Sequence, residues 1–316
     1  MRGFGYKKES RNFTRKNSKI DNLNKKIINQ AIQLHLKGNV LEATKIYQQI
    51  INQGCDDHRV FLNYGVILRN FGKLKEAELA ARKAIEINPD YALAHLNLGT
   101  ILKDLGKLKE AELVARKTIE LNPDYALAYS NLGSILKDLG KLKEAELVTR
   151  KAIEINSEIA ELHSNLGSIL KNLGKLKEAE LVTRKAIEIN PEYALAHSNL
   201  GNILKNLGKL KEAELSICKA IEIKPNFASA YFSLSTLKYS KRIKFWKKQL
   251  FSETILKTKL NIDKINIYFA RGNILHNEKN YQESSKYYIL ANKLKLEIKP
   301  SHTEHRTKKT KNLFIE

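Results

Sequence analysis

The chain has 316 residues, a formal net charge of +22 at pH 7, and only five prolines, one tryptophan and one methionine. Abundant Leu, Ile, Ala, Lys and Glu make it a helix-former's composition, and no stretch approaches the roughly 18–20 apolar residues of a membrane span. Two widely separated cysteines, Cys55 and Cys218, match no CxxC or metal-ligand spacing and no secretory leader is visible, so a cytoplasmic protein without structural disulfides is expected.

The charge is unevenly spread. Residues 1–45 carry 11 Lys/Arg against 3 Asp/Glu, residues 46–236 carry 26 against 24, and residues 237–316 carry 19 against 7. The two ends are therefore basic and the middle is nearly neutral.

Residues 1–23 are polar, basic and aperiodic, and read as a disordered N-terminal tail. Residues 24–57 read as a degenerate first repeat, with Ala31, Gly38, Ala43 and Tyr47 at the pattern positions. Residues 58–227 then carry five clear copies of one pattern at a spacing of 34. Gly65, Gly99, Gly133, Gly167 and Gly201 recur in its first half, and Ala77, Ala111, Ala145, Ala179 and Ala213 in its second. Pro89, Pro123, Pro191 and Pro225 close four copies, and Ser157 stands where the remaining proline belongs.

Within one copy, His95, Leu98, Gly99 and Leu102 share a face of a first helix. Gly106 ends that helix, and Leu108, Ala111, Ala115 and Ile119 line a second. Asn122, Pro123 and Asp124 break the second helix, and Asp124 or a neighbour is expected to cap the next. Residues 228–264 begin correctly and then lose the pattern, as a degenerate unit. Residues 265–298 recover it with Gly272, Tyr281, Tyr288 and Ala291, and residues 299–316 read as a basic C-terminal tail.

The period and its glycine, alanine and proline positions resemble the tetratricopeptide repeat (TPR) family. The resemblance implies an all-α fold, a right-handed α-solenoid of stacked helix-turn-helix units, with eight helix pairs. The family's usual tryptophan is replaced by Phe61, His95, Tyr129, His163 and His197. Neither helix of a unit can bury its apolar face alone, so neighbouring units must stack.

The other face of the first helices repeats Asn63, Asn97, Asn131, Asn165 and Asn199. This series resembles the groove asparagines of O-linked GlcNAc transferases, which implies amides that hold the backbone of an extended peptide in a concave groove. One amide can both donate and accept. Beside it run Arg69, Lys103, Lys137, Lys171 and Lys205, which favour an acidic ligand. The alternative for both lines is solvated surface copied along with the repeat. A chaperone-type carboxylate clamp is not expected, because Leu62, Leu96, Ser130, Ser164 and Ser198 occupy its positions.

No catalytic residue, cofactor or metal site is expected. His95, His163 and His197 read as packing residues, and His302 with His305 makes too few ligands for a metal. The Lys-Glu runs of KLKEAEL read as exposed helix starts with local ion pairs. The segment near residue 265 also resembles the last repeat before the sulfotransferase domain of cyanobacterial TPR proteins, which gives no warrant for that activity in these residues. The expected function is a protein–protein interaction scaffold binding an extended peptide or partner protein, with no membrane and no nucleic acid as partner. The alternative is a substrate-presenting subunit of a glycosyl- or sulfotransferase whose catalytic part is on another chain.

Overall fold

Glycine and proline set the element boundaries, and the resulting helices recur with the sequence. A computed structural model describes residues 25–237, 243–257 and 260–298. Both expected tails, with His302 and His305, lie outside the described residues. The contacts group the chain into two compact units, Met1–Pro123 and Asp124–Glu316.

The first unit holds α1 (residues 25–36), α2 (Val40–Asn52), α3 (His58–Asn70), α4 (Leu74–Ile87), α5 (Ala92–Asp104) and α6 (Leu108–Leu121). The second holds α7 (Ala126–Asp138), α8 (Leu142–Ile155), α9 (Ala160–Asn172), α10 (Leu176–Ile189), α11 (Ala194–Asn206), α12 (Leu210–Ile223), α13 (Ala228–Ser235), α14 (Ile243–Leu250), a 3-10 turn (Glu253–Leu256), α15 (Asn261–Asn277) and α16 (Tyr281–Ile298). The fold is all-α, in successive packed helix pairs, and no strand occurs among the described residues.

The first helices α1, α3, α5, α7, α9 and α11 each end at a glycine in the left-handed region, such as Gly106 at φ +75° and Gly174 at φ +77°. There the Lys107 N–H reaches the Leu102 carbonyl and the Gly106 N–H reaches that of Lys103, both at 2.9 Å, which is a Schellman closure. The expected cap is not made at Asp124: α7 follows Tyr125 without a side-chain cap bond. At two later turns the asparagine ending the preceding helix orders the chain. Asn156 accepts from the Glu158 N–H at 3.0 Å, and Asn190 from the Glu192 N–H at 3.1 Å.

The mid-helix glycines bring paired helices together. A Cβ added at Gly133 would lie 2.2 Å from Thr149 Oγ1, and one at Gly167 2.0 Å from Thr183 Oγ1. Both threonines are buried and donate to the carbonyl four residues back, Ala145 at 2.8 Å and Ala179 at 2.7 Å.

His95, His163 and His197 do more than pack. Their Nε2 atoms bond the carbonyls of Pro89 at 2.7 Å, Ser157 at 2.8 Å and Pro191 at 2.8 Å. The Tyr231 hydroxyl reaches the Pro225 carbonyl at 3.0 Å in the same way. Each ring thus ties the start of a first helix to the turn six residues earlier. Ser157 fills its turn because the bond uses the backbone carbonyl, which serine also has.

At the chain's beginning, Ile28 and Ala31 of α1 pack with Ala43, Tyr47 and Ile50 of α2 and with Val60 and Ile67 of α3. At the far end the pattern loss has a clear consequence. The short α13 packs directly on α15, and α14 with its 3-10 turn covers the pair's side through Leu250, Ile255 and Trp246. Arg271, buried in α15, holds this segment: Nε donates to the Leu250 carbonyl at 2.9 Å and Nη2 to that of Ser252 at 3.0 Å. Its guanidinium lies 5.5 Å from the ring centres of both Phe251 and Tyr287.

Candidate functional site

The repeated asparagines sit mid-helix, one in each of α3, α5, α7, α9 and α11, and the amides of Asn165 and Asn199 bond the residue 35 positions earlier. In the second unit, Asn165 Nδ2 of α9 donates to Ser130 Oγ of α7 at 2.9 Å. Asn199 Nδ2 of α11 donates to Ser164 Oγ of α9 at 2.9 Å and to the Ser164 carbonyl at 3.4 Å. A carbonyl only accepts, so this second contact fixes which end of the Asn199 amide faces Ser164. The Oδ1 atoms of Asn165 and Asn199 accept no bond among the described residues and are not buried. Asn131 of α7 is half-buried at the same register.

The first unit differs. Asn63 Nδ2 donates to the Arg59 carbonyl of its own helix at 2.8 Å. Asn97 Nδ2 is buried without a hydrogen-bond partner, because Leu62 stands where Ser130 and Ser164 stand in the second unit. The amides were expected to be solvent-facing and equivalent; they are half-buried and differ in their partners. Ser130 and Ser164, read at first only as absent clamp residues, position the amides above them.

The basic line also divides. In the first unit, Arg69 Nε of α3 pairs with Asp104 Oδ2 of α5 at 2.6 Å, and Lys103 is half-buried. In the second, Lys137, Lys171 and Lys205 come from the neighbouring helices α7, α9 and α11. Lys171 is half-buried, and burial first, then the charges of Lys137 and Lys205, lower its ammonium below the usual lysine value. Lys137 lies 3.8 Å from its neighbour Asp138, and Lys205 donates to Thr236 Oγ1 at 3.1 Å. No carboxylate pairs with Lys171 among the described residues. The positions matching Asp104, 35 residues beyond Lys137 and Lys171, are the neutral Asn172 and Asn206.

On the second helices the KLKEAEL lysines were expected to pair locally. Some do, as Lys73 with Glu76 at 3.6 Å, but the shorter contacts join neighbouring repeats. Lys107 reaches Glu78 at 2.8 Å in the first unit; Lys175 reaches Glu146 and Lys209 reaches Glu180, each at 2.8 Å, in the second. Each glutamate also holds the arginine four residues on, Arg82, Arg150 or Arg184, at 2.8 Å. Arg82 and Arg150 contact Glu110 and Glu178 in turn. The three glutamates are only 12–14% exposed. The lysine hydrogen bond is the largest influence lowering their carboxyls below the usual range.

Among the described residues, no group of three His, Cys, Asp or Glu is placed to hold a metal, and no helix is long and apolar enough to cross a membrane.

Family profiles match the repeats along the chain. One described as TPR repeat matches residues 167–208. Two described as tetratricopeptide repeat match 80–112 and 114–146, and 58–91, 194–227 and 265–297. Together they span more than half of the chain. No curated protein matches it in sequence. Among solved structures, a human IFIT1 dimer with m7Gppp-AAAA is 18% identical at a TM-score of 0.62, covering 84% of this chain and 68% of its own. The Cut9 and Hcn1 hetero-tetramer of APC/C is 16% identical at 0.59, covering 83% of this chain, which spans about half (48%) of that one. TTC0263, a thermophilic TPR protein of Thermus thermophilus, is 22% identical at 0.53, covering 57% of this chain and 98% of its own. At these identities the shared feature is the fold.

Proposed function

This chain belongs to the tetratricopeptide-repeat family, and from that premise we propose that it is a protein-interaction scaffold that binds an extended peptide of a partner protein along its first helices. One observation carries the reading. The donor ends of Asn165 and Asn199 are tied to Ser130 and Ser164, so their oxygens are held in fixed, unpartnered positions. A fixed acceptor once per repeat suits the N–H groups of a passing backbone, and needs no side-chain identity from the ligand. Asn131 in the second unit, and Asn63 and Asn97 in the first, occupy the same sequence position of their repeats. The lysines beside them favour an acidic ligand, and neither Cys55 nor Cys218 is in a disulfide, which fits a cytoplasmic setting.

We take as the working organisation the one read from the sequence: a first unit at 24–57, five repeats at 58–227, a degenerate unit at 228–264 and a last one at 265–298. A competing surface lies on the second helices, where Leu147, Leu181 and Leu215 are 70%, 71% and 51% exposed.

Affinity capture from the source cell, followed by mass spectrometry, supplies a partner whose binding segment is then titrated calorimetrically. The variant replacing Asn97, Asn131, Asn165 and Asn199 with alanine is expected to lose nearly all binding while keeping a helical spectrum. A folded variant with wild-type affinity overturns the reading and directs attention to the leucine row. Recovery of a glycosyl- or sulfotransferase would favour the substrate-presenting alternative.

A further inference from the structure

The register that pairs Arg69 with Asp104 in the first unit keeps Asp138 beside Lys137 in the second unit, at 3.8 Å, and becomes neutral beyond it. Lys137 and Lys171 meet Asn172 and Asn206 at that offset, both exposed and neutral. Lys205 turns to a threonine hydroxyl rather than to an acid. Three adjacent helices therefore each contribute one cation to the same face, and the middle one, Lys171, is half-buried without a counter-ion.

Gathering like charges is unfavourable, the more so where water is partly excluded. A folded protein tolerates this at a site where an anion relieves it. The exposed faces of Asn172 and Asn206 add amide donors and no opposing charge. The spacing identifies the anion's arrangement. Packed helices lie about 8–10 Å apart, and a polyproline-II chain, the extended form that brings every third side chain to one face, rises about 3.1 Å per residue. Three residues of extended peptide therefore span one helix-to-helix step.

Resting on the groove reading above, we propose that Lys137, Lys171 and Lys205 form a cationic column that selects an extended acidic peptide whose carboxylates recur at every third residue. The asparagine oxygens take backbone N–H groups, and the lysines read the acidic register. Peptides of equal charge but different spacing are therefore distinguished.

The test uses the full chain and fluorescently labelled peptides of one composition read by anisotropy. One carries Asp at every third position over nine residues, a second has the same Asp residues contiguous, and a third replaces Asp with Asn. The every-third peptide is expected to bind at least tenfold more tightly than either. Lys171→Met should reduce that preference to less than twofold, Lys171→Arg should restore most of it, and Lys177→Met, on the exposed face of α10, should leave it unchanged. Equal binding of both Asp peptides, or an unaffected Lys171→Met, overturns the column. If all three peptides bind equally, the column falls while the backbone-reading groove stands. If none binds, both fall. Tighter Lys171-dependent binding of an oligothymidylate would assign the column to nucleic acid and overturn the peptide proposal.

Discussion

Asn199 reaches back 35 residues to donate to the Ser164 hydroxyl at 2.9 Å, tying α11 to α9 through a half-buried side chain. The same bond joins Asn165 to Ser130. Where leucine replaces that serine, at Leu62, the Asn97 amide is buried and unpaired.

The three asparagines should therefore differ in stability effect. Asn199→Ala is expected to cost about 0.5–1.5 kcal/mol, the net worth of one hydrogen bond. Ser164→Ala should cost a similar amount, and the double variant less than the sum, which a double-mutant cycle in urea would show. Asn97→Ala should be neutral or stabilising, because an unmet buried donor already costs about 1–3 kcal/mol. A loss at Asn97 equal to that at Asn199 would contradict this account.

The repeat was legible because its boundaries are local. Gly106 and Gly174 need no distant partner to end a helix, and Asn-Pro breaks one wherever it occurs. The chemistry of the asparagine series was not legible, because its partner lies one repeat away and changes from Leu62 to Ser130 and Ser164. The lysines of KLKEAEL misled for the same reason. A local pair such as Lys73 with Glu76 is visible in sequence, whereas Lys175 finds Glu146 only after the helices stack. Comparing residues at offsets of 29 and 35, rather than 34, would have exposed both relationships. The role of Arg271 had no such signal, since its acceptors belong to an irregular segment.

The mid-helix glycines should divide by their surroundings. At Gly65 the nearest atoms to an added Cβ are 3.5 Å away, an ordinary contact. Gly65→Ala is expected to be tolerated or to gain up to about 1 kcal/mol from helix propensity. At Gly167 the Thr183 hydroxyl blocks the site at 2.0 Å and is held by its bond to Ala179. Gly167→Ala should lose about 1–3 kcal/mol by overpacking. Thermal melts of the two variants should move in opposite directions, and a shared direction would refute the steric argument.

Ser157→Pro should stabilise the chain. Asn156, just before it, has φ −151° and ψ 104°, close to φ −138° and ψ 95° at Asn190 before Pro191. That extended backbone is what a residue before proline requires. The His163 bond to the residue 157 carbonyl survives, as His197 with Pro191 demonstrates. The restricted unfolded chain should yield about 0.4–1 kcal/mol. A lower urea midpoint would mean that residue 157 needs its N–H or its serine hydroxyl.

Acid should weaken the ties between repeats. Glu146 sits between Lys175 and Arg150, and the Lys175 hydrogen bond is the main influence holding its carboxyl below the usual value of 4.5. A carboxyl depressed in the folded state binds its proton more readily when unfolded. Its stabilisation is therefore complete above pH 4.5 and drains away as pH falls through the lower folded value. Glu78 and Glu180 obey the same sign. The urea midpoint should thus be nearly flat between pH 7 and pH 5 with respect to these groups, and should fall below that. Glu146→Gln should be less stable than the wild type at pH 7, and the gap should narrow as pH drops, since protonation brings the wild type to a similar neutral state. Added salt should shrink the gap at pH 7 only in part, because the glutamate is mostly enclosed while its cations are 40–48% exposed. A gap that stays constant from pH 7 to pH 3 would show that Glu146 contributes packing alone, and that its two cations are surface neighbours without thermodynamic weight.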